Sequence, residues 1–323
     1  MRCRAQLHEV GRRPHGLDAM TDEAIVRMPD FIICGTAKAG TTALYDYLCQ
    51  HPQIYPNRVK EPRYFSFHGR RPTYNGPGDE ERYNASTVYD RQSYYALFEG
   101  APASLKAGEA SPSYLYLEGS AAAIHEELPQ VKLIFILRHP VERVFSAYLH
   151  QVRMGYEKLP FWDALKEEGH RKEMGWAPHW LYEEIGFIGR QVQAFVDLFP
   201  ASQMLFLKYN EFKSDNKAAL ARVCAFLGID PAFEFKHRES NVGGTPRSEM
   251  VRDLMMRDGV LKKIARTLLP FRVRRAIRNY IGELNRRTVS VNDEIYARLT
   301  PLYREDVLLC QRLSGLDLSD WLK

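Results

Sequence analysis

Apolar and polar residues fall into two kinds of stretch that follow one another along the chain from residue 29 onward. Short apolar runs bounded by polar or turn residues predict buried strands at residues 31–34, 104–108, 132–137 and 204–208. Longer stretches with apolar residues at helical spacing predict helices at residues 41–51, 93–99, 121–128, 141–154 and 187–199. Because parallel neighbouring strands need crossover connections, this alternation predicts an α/β fold with a central parallel sheet flanked by helices.

A loop rich in glycine and threonine lies between the first predicted strand and the first predicted helix. From Pro29 to Leu44 the chain reads PDFIICGTAKAGTTAL. A strand that feeds a tight loop and then a helix directs several backbone N–H groups, and the positive end of the helix, toward one anionic group. The segment therefore predicts a phosphate-binding loop.

The position of the lysine in this loop indicates which phosphate is bound. Nucleotide triphosphatases have the pattern GxxxxGK[ST], whose lysine reaches the β- and γ-phosphates. In this chain Thr41 occupies that lysine position, and Lys38 lies three residues earlier, between Gly35 and Gly40. We expect Lys38 to meet a phosphate near its bridging oxygen, which argues against hydrolysis of ATP or GTP.

A second motif about 100 residues downstream predicts a second phosphate site. Residues 132–148 read KLIFILRHPVERVFSAY, a buried strand followed by Arg138, a turn proline at Pro140 and a helix that carries Ser146. Ser146 comes eight residues after Arg138, about two helical turns into the helix, so both side chains can close on one phosphate.

Together, GTAKAGTTAL and LIFILRHPVERVFSAY resemble the two cofactor-binding signatures of sulfotransferases that use 3′-phosphoadenosine 5′-phosphosulfate (PAPS). The resemblance runs from about Pro29 to at least Arg247 and is closest to the heparan-sulfate-type and bacterial members. It implies a P-loop-type three-layer fold. It also implies that Arg138 and Ser146 bind the 3′-phosphate, and that the 5′-phosphosulfate end is bound by Thr36, Ala37, Lys38, Ala39, Gly40, Thr41 and Thr42.

A third segment, ESNVGGTPRS at residues 239–248, resembles the basic loop that folds over the nucleotide in this family, with Arg247 as the candidate contact. A plain turn with an exposed cation is an equally good interpretation of Arg247. Cofactor binding is therefore assigned to three separate parts of the chain.

Sulfuryl transfer needs a base for the acceptor, a cation for the leaving phosphate oxygen and in-line placement, and it requires neither a metal nor a covalent intermediate. Lys38 is the candidate cation. RVKEPRYF, at residues 58–65, resembles the segment in which heparan-type enzymes place a catalytic glutamate, so Glu61 is the candidate base. Aryl-type enzymes use a histidine in a stretch that corresponds here to KAGEASPSY, which has none. Glu109 and His68 remain alternative bases.

The 323 residues, 45% of them hydrophobic, are enough for one large domain, which we assign to residues 29–323 after a flexible segment at residues 1–28. Met20 is an alternative start of the natural protein. Residues 155–185, rich in tryptophan and tyrosine, form a connection in which we expect acceptor specificity, although aromatic residues at such spacing more often simply pack. Residues 247–323 form a basic, helical C-terminal part.

Charge is concentrated near the C-terminus. Residues 247–287 hold 12 Lys and Arg against 4 Asp and Glu, a net charge of +8 in a chain whose total is +5. A solvated basic face is the favoured interpretation, and peripheral contact with an acidic membrane surface is the alternative. We expect no nucleic-acid binding, because the chain contains none of the dedicated motifs.

Five cysteines without metal-ligand spacing, and the lack of an 18-residue apolar run, favour reduced thiols and a cytoplasmic enzyme without a metal. The predicted activity is transfer of a sulfuryl group from PAPS to a hydroxyl or amine of an acceptor, with a glycan or glycolipid preferred over a small molecule. A nucleotide kinase or NTPase, and a nucleotide-binding relative without catalysis, are the competing hypotheses. The sequence leaves the oligomeric state open.

Overall fold

The computed structural model describes residues 27–57, 59–237 and 289–323, together with the backbone of residues 245–246 and 286–287. The predicted flexible segment, apart from its last two residues, lies outside this range, as do Arg247 and most of the basic segment at residues 247–287. The division into residues 1–28 and 29–323 therefore stays a prediction.

The described strands are β1 (Phe31–Gly35), β2 (Ile54–Pro56), β3 (Lys106–Ala110), β4 (Lys132–Leu137), β5 (Met204–Lys208) and the two-residue strands β6 (Thr245–Pro246) and β7 (Arg286–Arg287). The described α-helices are α1 (Thr41–Leu48), α2 (Tyr64–Phe67), α3 (Arg91–Ala96), α4 (Ser113–Tyr116), α5 (Ser120–Glu127), α6 (Pro140–Met154), α7 (Phe161–Lys166), α8 (Glu168–Glu173), α9 (Ile188–Val196), α10 (Tyr209–Ser214), α11 (Asn216–Leu227) and α12 (Asp293–Ser314).

The central sheet has five strands in the order β2-β3-β1-β4-β5, and every pairing in it is parallel. β1 lies in the middle, and the chain goes from it first to β2 and β3 on one side and then to β4 and β5 on the other. Ligands in such sheets bind outside the carboxyl end of the strand at which the order reverses. The loop after β1 lies at this point.

Strand residues alternate between two buried layers, which confirms the predicted three-layer α/β fold. Ile32 and Cys34 pack into one hydrophobic core, whereas Phe31 and Ile33 pack into the core on the opposite face. Gly108 on β3 allows this close packing, because a Cβ atom there would lie 2.5 Å from the backbone oxygen of Phe31. The period of two along each strand thus places helices on both faces of the sheet.

The predicted element types are confirmed, but several bounds and elements differ. α1 ends at Leu48 rather than at residue 51, because the chain turns there and the ring of His51 hydrogen-bonds the carbonyl of Asp230 at 3.0 Å. β3 covers Lys106–Ala110 rather than residues 104–108. β2 was not predicted, because it is a three-residue edge strand that depends on its pairing with β3. The helices missing from the prediction are α2, α4, α7, α8, α10 and α11, and the bounds of α12 were not given.

Helix α12 ties the C-terminal part of the chain to the domain. Both carboxylate oxygens of Asp306 accept backbone N–H groups at the start of α9, from Gly189 at 2.7 Å and Arg190 at 2.9 Å. Gly189 is required at this contact, since a Cβ atom would lie 2.2 Å from the backbone oxygen of Asp306. Within the C-terminal part assigned from the sequence, the structure describes this one long helix at residues 293–314. No helix in the described ranges is both long and apolar enough to cross a bilayer.

Candidate active site

The loop after β1 is anchored to β4 by Thr36. Its backbone N–H and its hydroxyl both donate to the carbonyl oxygen of Ile136, at 2.7 and 2.9 Å, and Thr36 is fully buried. Its side chain therefore faces the sheet. Gly40 follows in a left-handed conformation, with φ at 85°, and Thr41 then begins α1. A residue larger than glycine would be strained there and would press on the ring of Tyr209, 3.3 Å from the added Cβ.

The remaining predicted loop residues surround the same turn. Ala37 and Lys38 are half-buried, as is Thr42 in the first turn of α1, while Ala39 is fully buried and its N–H donates to the Thr36 carbonyl at 3.1 Å. The loop residues at positions 36–42 thus form one tight turn at the start of a helix. This is the geometry expected of an anion-binding loop.

Lys38 lies among other cations. The pKa of its amine is lowered to about 7. Burial is the largest cause, and the positive charges of Arg153, Arg82, Arg138 and Lys60 contribute in the same direction. A bound anion would reverse this effect, because it would favour the charged form of the amine. The surplus of positive charge fits a phosphosulfate group at this loop.

Arg138 connects the two phosphate motifs directly. Its Nη1 donates a hydrogen bond of 2.8 Å to the backbone oxygen of Lys38, its Nε donates to Glu142 at 3.2 Å, and its guanidinium lies 4.6 Å from the ring centre of Tyr209. Ser146 is half-buried on α6, one helical turn beyond Glu142. Arg247, the third predicted contact, lies outside the described residues.

Glu61 sits in a loop with unusual backbone conformations. Glu61 and Arg63, on either side of Pro62, have φ values of 50° and 59°, in the left-handed region that non-glycine residues seldom adopt. The loop is held at its start by Tyr45, whose hydroxyl accepts from the backbone N–H of Asn57 at 2.9 Å and donates to the Gly108 carbonyl at 3.0 Å. Such conformations persist where surrounding contacts hold them, and they are common at functional sites.

The carboxylate of Glu61 is paired with two cations. Oε2 accepts from Nη2 of Arg63 at 2.7 Å, Oε1 lies 3.7 Å from Nζ of Lys60, and the side chain is 26% exposed. Burial by itself would raise the pKa of Glu61, but the charges of Arg63 and Lys60 outweigh it and lower the pKa below its ordinary value. Glu61 is therefore ionised at neutral pH and partly accessible, so it can accept a proton.

The two alternative bases, Glu109 and His68, differ in accessibility. Glu109 is 1% exposed, and its oxygens accept hydroxyl protons from Ser111 at 2.7 Å, Tyr114 at 2.6 Å and Tyr94 at 3.3 Å. Burial raises the pKa of Glu109 to about 7. His68 lies 3.5 Å from a carboxylate oxygen of Glu127 on α5. Burial therefore disfavours Glu109, whereas His68, whose side chain is 46% exposed, remains an alternative to Glu61.

Several basic residues near Lys38 were not identified from the sequence. Arg82 donates to Oε1 of Gln151 at 3.4 Å, and Arg153 hydrogen-bonds Nδ1 of His150 at 2.8 Å. Burial lowers the pKa of His150, and the charges of Lys38, Arg82 and Arg153 lower it further. The signal was available on α6, since residues 146, 150 and 153 are spaced to lie on one helical face. Arg82 gave no such signal, because only the tertiary structure brings it to α6.

The connection at residues 155–185 is tightly packed. Glu157 forms a buried ion pair with Arg171, with 2.8 Å between Oε2 and Nη1, and Tyr182 donates to the same carboxylate at 2.8 Å. Trp180 and Tyr182 are buried, which confirms the packing interpretation for these two aromatic side chains. Trp180 also donates to the buried carboxylate of Asp79 at 3.2 Å. Within the ranges that the structure describes, no group of three or more His, Cys, Asp or Glu side chains could hold a metal ion.

Comparison with known proteins places this chain among sulfotransferases. A family model described as "Sulfotransferase family" matches residues 29–234. The crystal structure of a sulfotransferase from Alicyclobacillus acidocaldarius is 30% identical, with a TM-score of 0.73, and the match covers 92% of this chain and 100% of that one.

Two curated mouse proteins are also similar. Heparan sulfate glucosamine 3-O-sulfotransferase 3A1 is 27% identical over 225 residues, which is 70% of this chain and 52% of that protein. Bifunctional heparan sulfate N-deacetylase/N-sulfotransferase 4 is 25% identical over 222 residues, 64% of this chain and 23% of that protein. The chain thus spans about half the length of the first relative and about a quarter of the second.

Proposed function

Because the chain belongs to the sulfotransferase family, we propose that it transfers a sulfuryl group from PAPS to a hydroxyl or amine of a carbohydrate or glycolipid. The hydrogen bond of 2.8 Å from Arg138 to the Lys38 backbone carries the proposal, because it joins the loop after β1 to the motif after β4. One nucleotide with phosphates at both its 5′ and 3′ positions could thereby contact both motifs.

The donor is a substrate with two anionic ends, and the residues fit both of them. The loop at residues 36–42, with Lys38, would hold the phosphosulfate, and Arg138 with Ser146 would hold the 3′-phosphate. The low pKa of Lys38, caused by burial and by Arg153, Arg82, Arg138 and Lys60, supports this assignment because a bound anion would relieve the repulsion. Arg247 remains a proposed third contact.

The reaction needs one proton transfer and one displacement. Glu61 takes the proton from the acceptor hydroxyl or amine, and the acceptor atom forms a bond to sulfur. The bond between sulfur and the bridging oxygen of the donor breaks, and its electron pair goes to the 5′-phosphate. The Lys38 ammonium stabilises the charge on that oxygen. The products are the sulfated acceptor and adenosine 3′,5′-bisphosphate.

The proposed acceptor class rests on the similarity to enzymes whose names specify heparan sulfate. Both O-sulfation and N-sulfation are represented among these names, and one carboxylate can activate either nucleophile. A cytoplasmic location, and contact of residues 247–287 with an acidic membrane surface, are further proposals that depend on parts of the chain outside the described residues.

Calorimetric titration of the purified chain with adenosine 3′,5′-bisphosphate tests the donor assignment, with ATP plus Mg²⁺ as the control ligand. We expect binding of the bisphosphate and much weaker binding of ATP. Preference for ATP would support a nucleotide kinase or NTPase instead, and binding of neither would contradict the donor assignment.

A transfer assay with radiolabelled PAPS then tests the acceptor, using heparan sulfate, N-desulfated heparan sulfate and a simple phenol. Labelling of either glycan but not of the phenol is the expected result. Labelling of the phenol alone would overturn the glycan assignment. Bisphosphate binding without labelling of any acceptor would favour a nucleotide-binding relative without this activity.

A further inference from the structure

The hydroxyl of Ser111 joins a buried carboxylate to the loop that carries Glu61. Ser111 Oγ donates to Oε2 of Glu109 at 2.7 Å and accepts from the backbone N–H of Arg63 at 3.1 Å. The guanidinium of Arg63 in turn donates to Oε2 of Glu61 at 2.7 Å. A connected series of residues thus runs from the end of β3 to the proposed base.

The other oxygen of Glu109 fixes the direction of these hydrogen bonds. Tyr114 and Tyr94 both donate to Oε1, at 2.6 and 3.3 Å, so Oε2 is left for the Ser111 hydroxyl. With its proton directed at Glu109, the Ser111 oxygen presents its lone pairs to the Arg63 N–H. Glu109 and Ser111 are 1% and 0% exposed, so neither can touch an acceptor.

The loop at Glu61 needs such an anchor. Left-handed backbone is strained at a non-glycine residue, and Glu61 and Arg63 both adopt it. Besides its bond to Ser111, Arg63 is held by Oγ of Ser86, at 3.0 Å from Nη1, and by the ring of Tyr83, whose centre lies 4.8 Å from the guanidinium carbon. The bond from its backbone N–H to Ser111 holds the strained main chain itself.

We propose that Ser111 and Glu109 are positioning residues for Glu61, which hold the Arg63 amide so that the Glu61 carboxylate stays paired with Arg63 and directed at the acceptor. The inference rests on the proposed function, because it takes Glu61 as the base. It assigns to Glu109 a role distinct from that of a base. Ser111 transmits the effect of Glu109 to the loop.

Replacement of Ser111 by alanine removes the acceptor of the Arg63 N–H and leaves the charges in place. Ser113→Ala is the matched control: Ser113 is also buried, and its hydroxyl is 2.9 Å from that of Ser66 on α2, but it does not contact Arg63. The readout is the titration of the Glu61 carboxylate by NMR in protein labelled with ¹³C at glutamate carboxyls, with Glu61→Gln used for assignment. This measurement needs neither PAPS nor a sulfuryl acceptor.

In Ser111→Ala we expect the pKa of Glu61 to rise toward its ordinary value, because the loop moves and the pair with Arg63 weakens. Ser113→Ala should titrate like the natural protein. An unchanged Glu61 titration in Ser111→Ala, or an equal shift in Ser113→Ala, would overturn the proposal.

Glu109→Gln provides a second variant should Ser111→Ala fold poorly. The two tyrosine donors orient the amide oxygen toward themselves, so the NH₂ group faces Ser111. The Ser111 oxygen then accepts a hydrogen bond from this NH₂ group, and its hydrogen bond from the Arg63 N–H is weakened. Because burial raises the pKa of Glu109 to about 7, the natural protein already resembles this variant at the low pH where Glu61 titrates. The readout for Glu109→Gln is therefore kcat at pH 8, which should fall, and an unchanged kcat there would contradict the role of Glu109.

In the transfer assay, Ser111→Ala should lower kcat by about 10²-fold with little change in KM for PAPS, and Ser111→Thr should restore part of it. Equal kcat in the natural protein and Ser111→Ala would also overturn the proposal. If the natural protein binds no bisphosphate, the donor assignment fails, while the NMR titration still shows whether Ser111 positions the Glu61 loop.

Discussion

The guanidinium of Arg138 donates a hydrogen bond of 2.8 Å to the backbone oxygen of Lys38, across 100 residues of sequence. β1 and β4 are adjacent parallel strands, so the loops that follow them meet at one edge of the sheet. The contact orients the loop after β1 through its main chain and leaves the Lys38 amine free to meet a ligand. These two residues, together with Glu61, Glu109 and Arg171, give testable predictions.

Replacement of Arg138 by alanine should weaken binding of adenosine 3′,5′-bisphosphate. A charge-assisted hydrogen bond to phosphate contributes about 1.5–3 kcal/mol, so the Kd should rise about 10- to 100-fold in calorimetry. Arg222→Ala is the control, because Arg222 lies on α11 with its guanidinium 3.9 Å from Glu211. Equal weakening in both variants would indicate a general effect of net charge.

Binding of the bisphosphate near pH 8 should be accompanied by uptake of about one proton at Lys38. Burial and the neighbouring Arg153, Arg82, Arg138 and Lys60 lower the pKa of the free amine to about 7, so at pH 8 it is mostly neutral, and the bound phosphate raises that pKa. At pH 6 the amine is already charged and the uptake should vanish.

Titrations in HEPES and Tris buffers, whose ionisation enthalpies differ, measure this proton uptake. Lys38→Ala should abolish both the uptake and the turnover. The same uptake in Lys38→Ala as in the natural protein would assign the proton to another group.

Replacement of Glu61 by glutamine should remove turnover while sparing bisphosphate binding. Loss of a general base lowers kcat by about 10²- to 10⁴-fold, and the isosteric amide keeps the volume of the side chain. Single-turnover transfer of label from PAPS measures the rate, with calorimetry as the control for the fold. Turnover retained in Glu61→Gln would point to His68 as the base.

Replacement of Glu109 by glutamine should change how stability depends on pH. Burial raises the pKa of Glu109 to about 7 in the folded protein, from 4.5 in the unfolded chain. The folded state therefore holds the proton more tightly, so this stabilisation is complete below pH 4.5 and is lost as the pH rises through 7. Glu109→Gln should gain stability relative to the natural protein over this window, by up to about 3 kcal/mol.

Chemical denaturation between pH 5 and pH 8 measures this difference in the free energy of unfolding. Glu127→Gln is the control, because its difference in stability from the natural protein should stay nearly constant between pH 5 and pH 8. Burial alone would raise the pKa of Glu127, but hydrogen bonds from Tyr64, Tyr95 and Arg91 lower it, so its contribution is lost as the pH falls. Parallel pH profiles for the two variants would contradict the assignment of a raised pKa to Glu109.

Replacement of Arg171 by leucine should destabilise the protein by about 3–5 kcal/mol, because it leaves the Glu157 carboxylate buried without its cation. The Arg171 side chain is 5% exposed and the Glu157 side chain is 2% exposed. Lys166→Leu, in the exposed pair with Asp163, should be nearly neutral in the same urea titration. A small effect of Arg171→Leu would show that the hydrogen bonds from Tyr182 and the backbone suffice for Glu157.

The sequence predicted much of the fold because the signals for strands and phosphate loops are local. Four of the five strands of the central sheet follow from apolar runs, and the turn at Gly40 and the cation at Lys38 follow from a short motif. The resemblance to sulfotransferases, now supported by the family match over residues 29–234, added the candidate base Glu61. β2 was missed because an edge strand of three residues has too few positions to show a period.

Sequence alone determined the order of four of the five central strands, the two candidate phosphate motifs and the candidate residues Lys38, Arg138 and Glu61. Only the tertiary structure decided the state of these groups: the pairing of Glu61 with Arg63, the burial of Glu109 against three hydroxyls, and the positive charges of Arg82 and Arg153 around Lys38. The physical reason is that backbone pattern depends on neighbours along the chain. Burial and charge depend on groups that the fold brings together from distant segments, and these set each pKa.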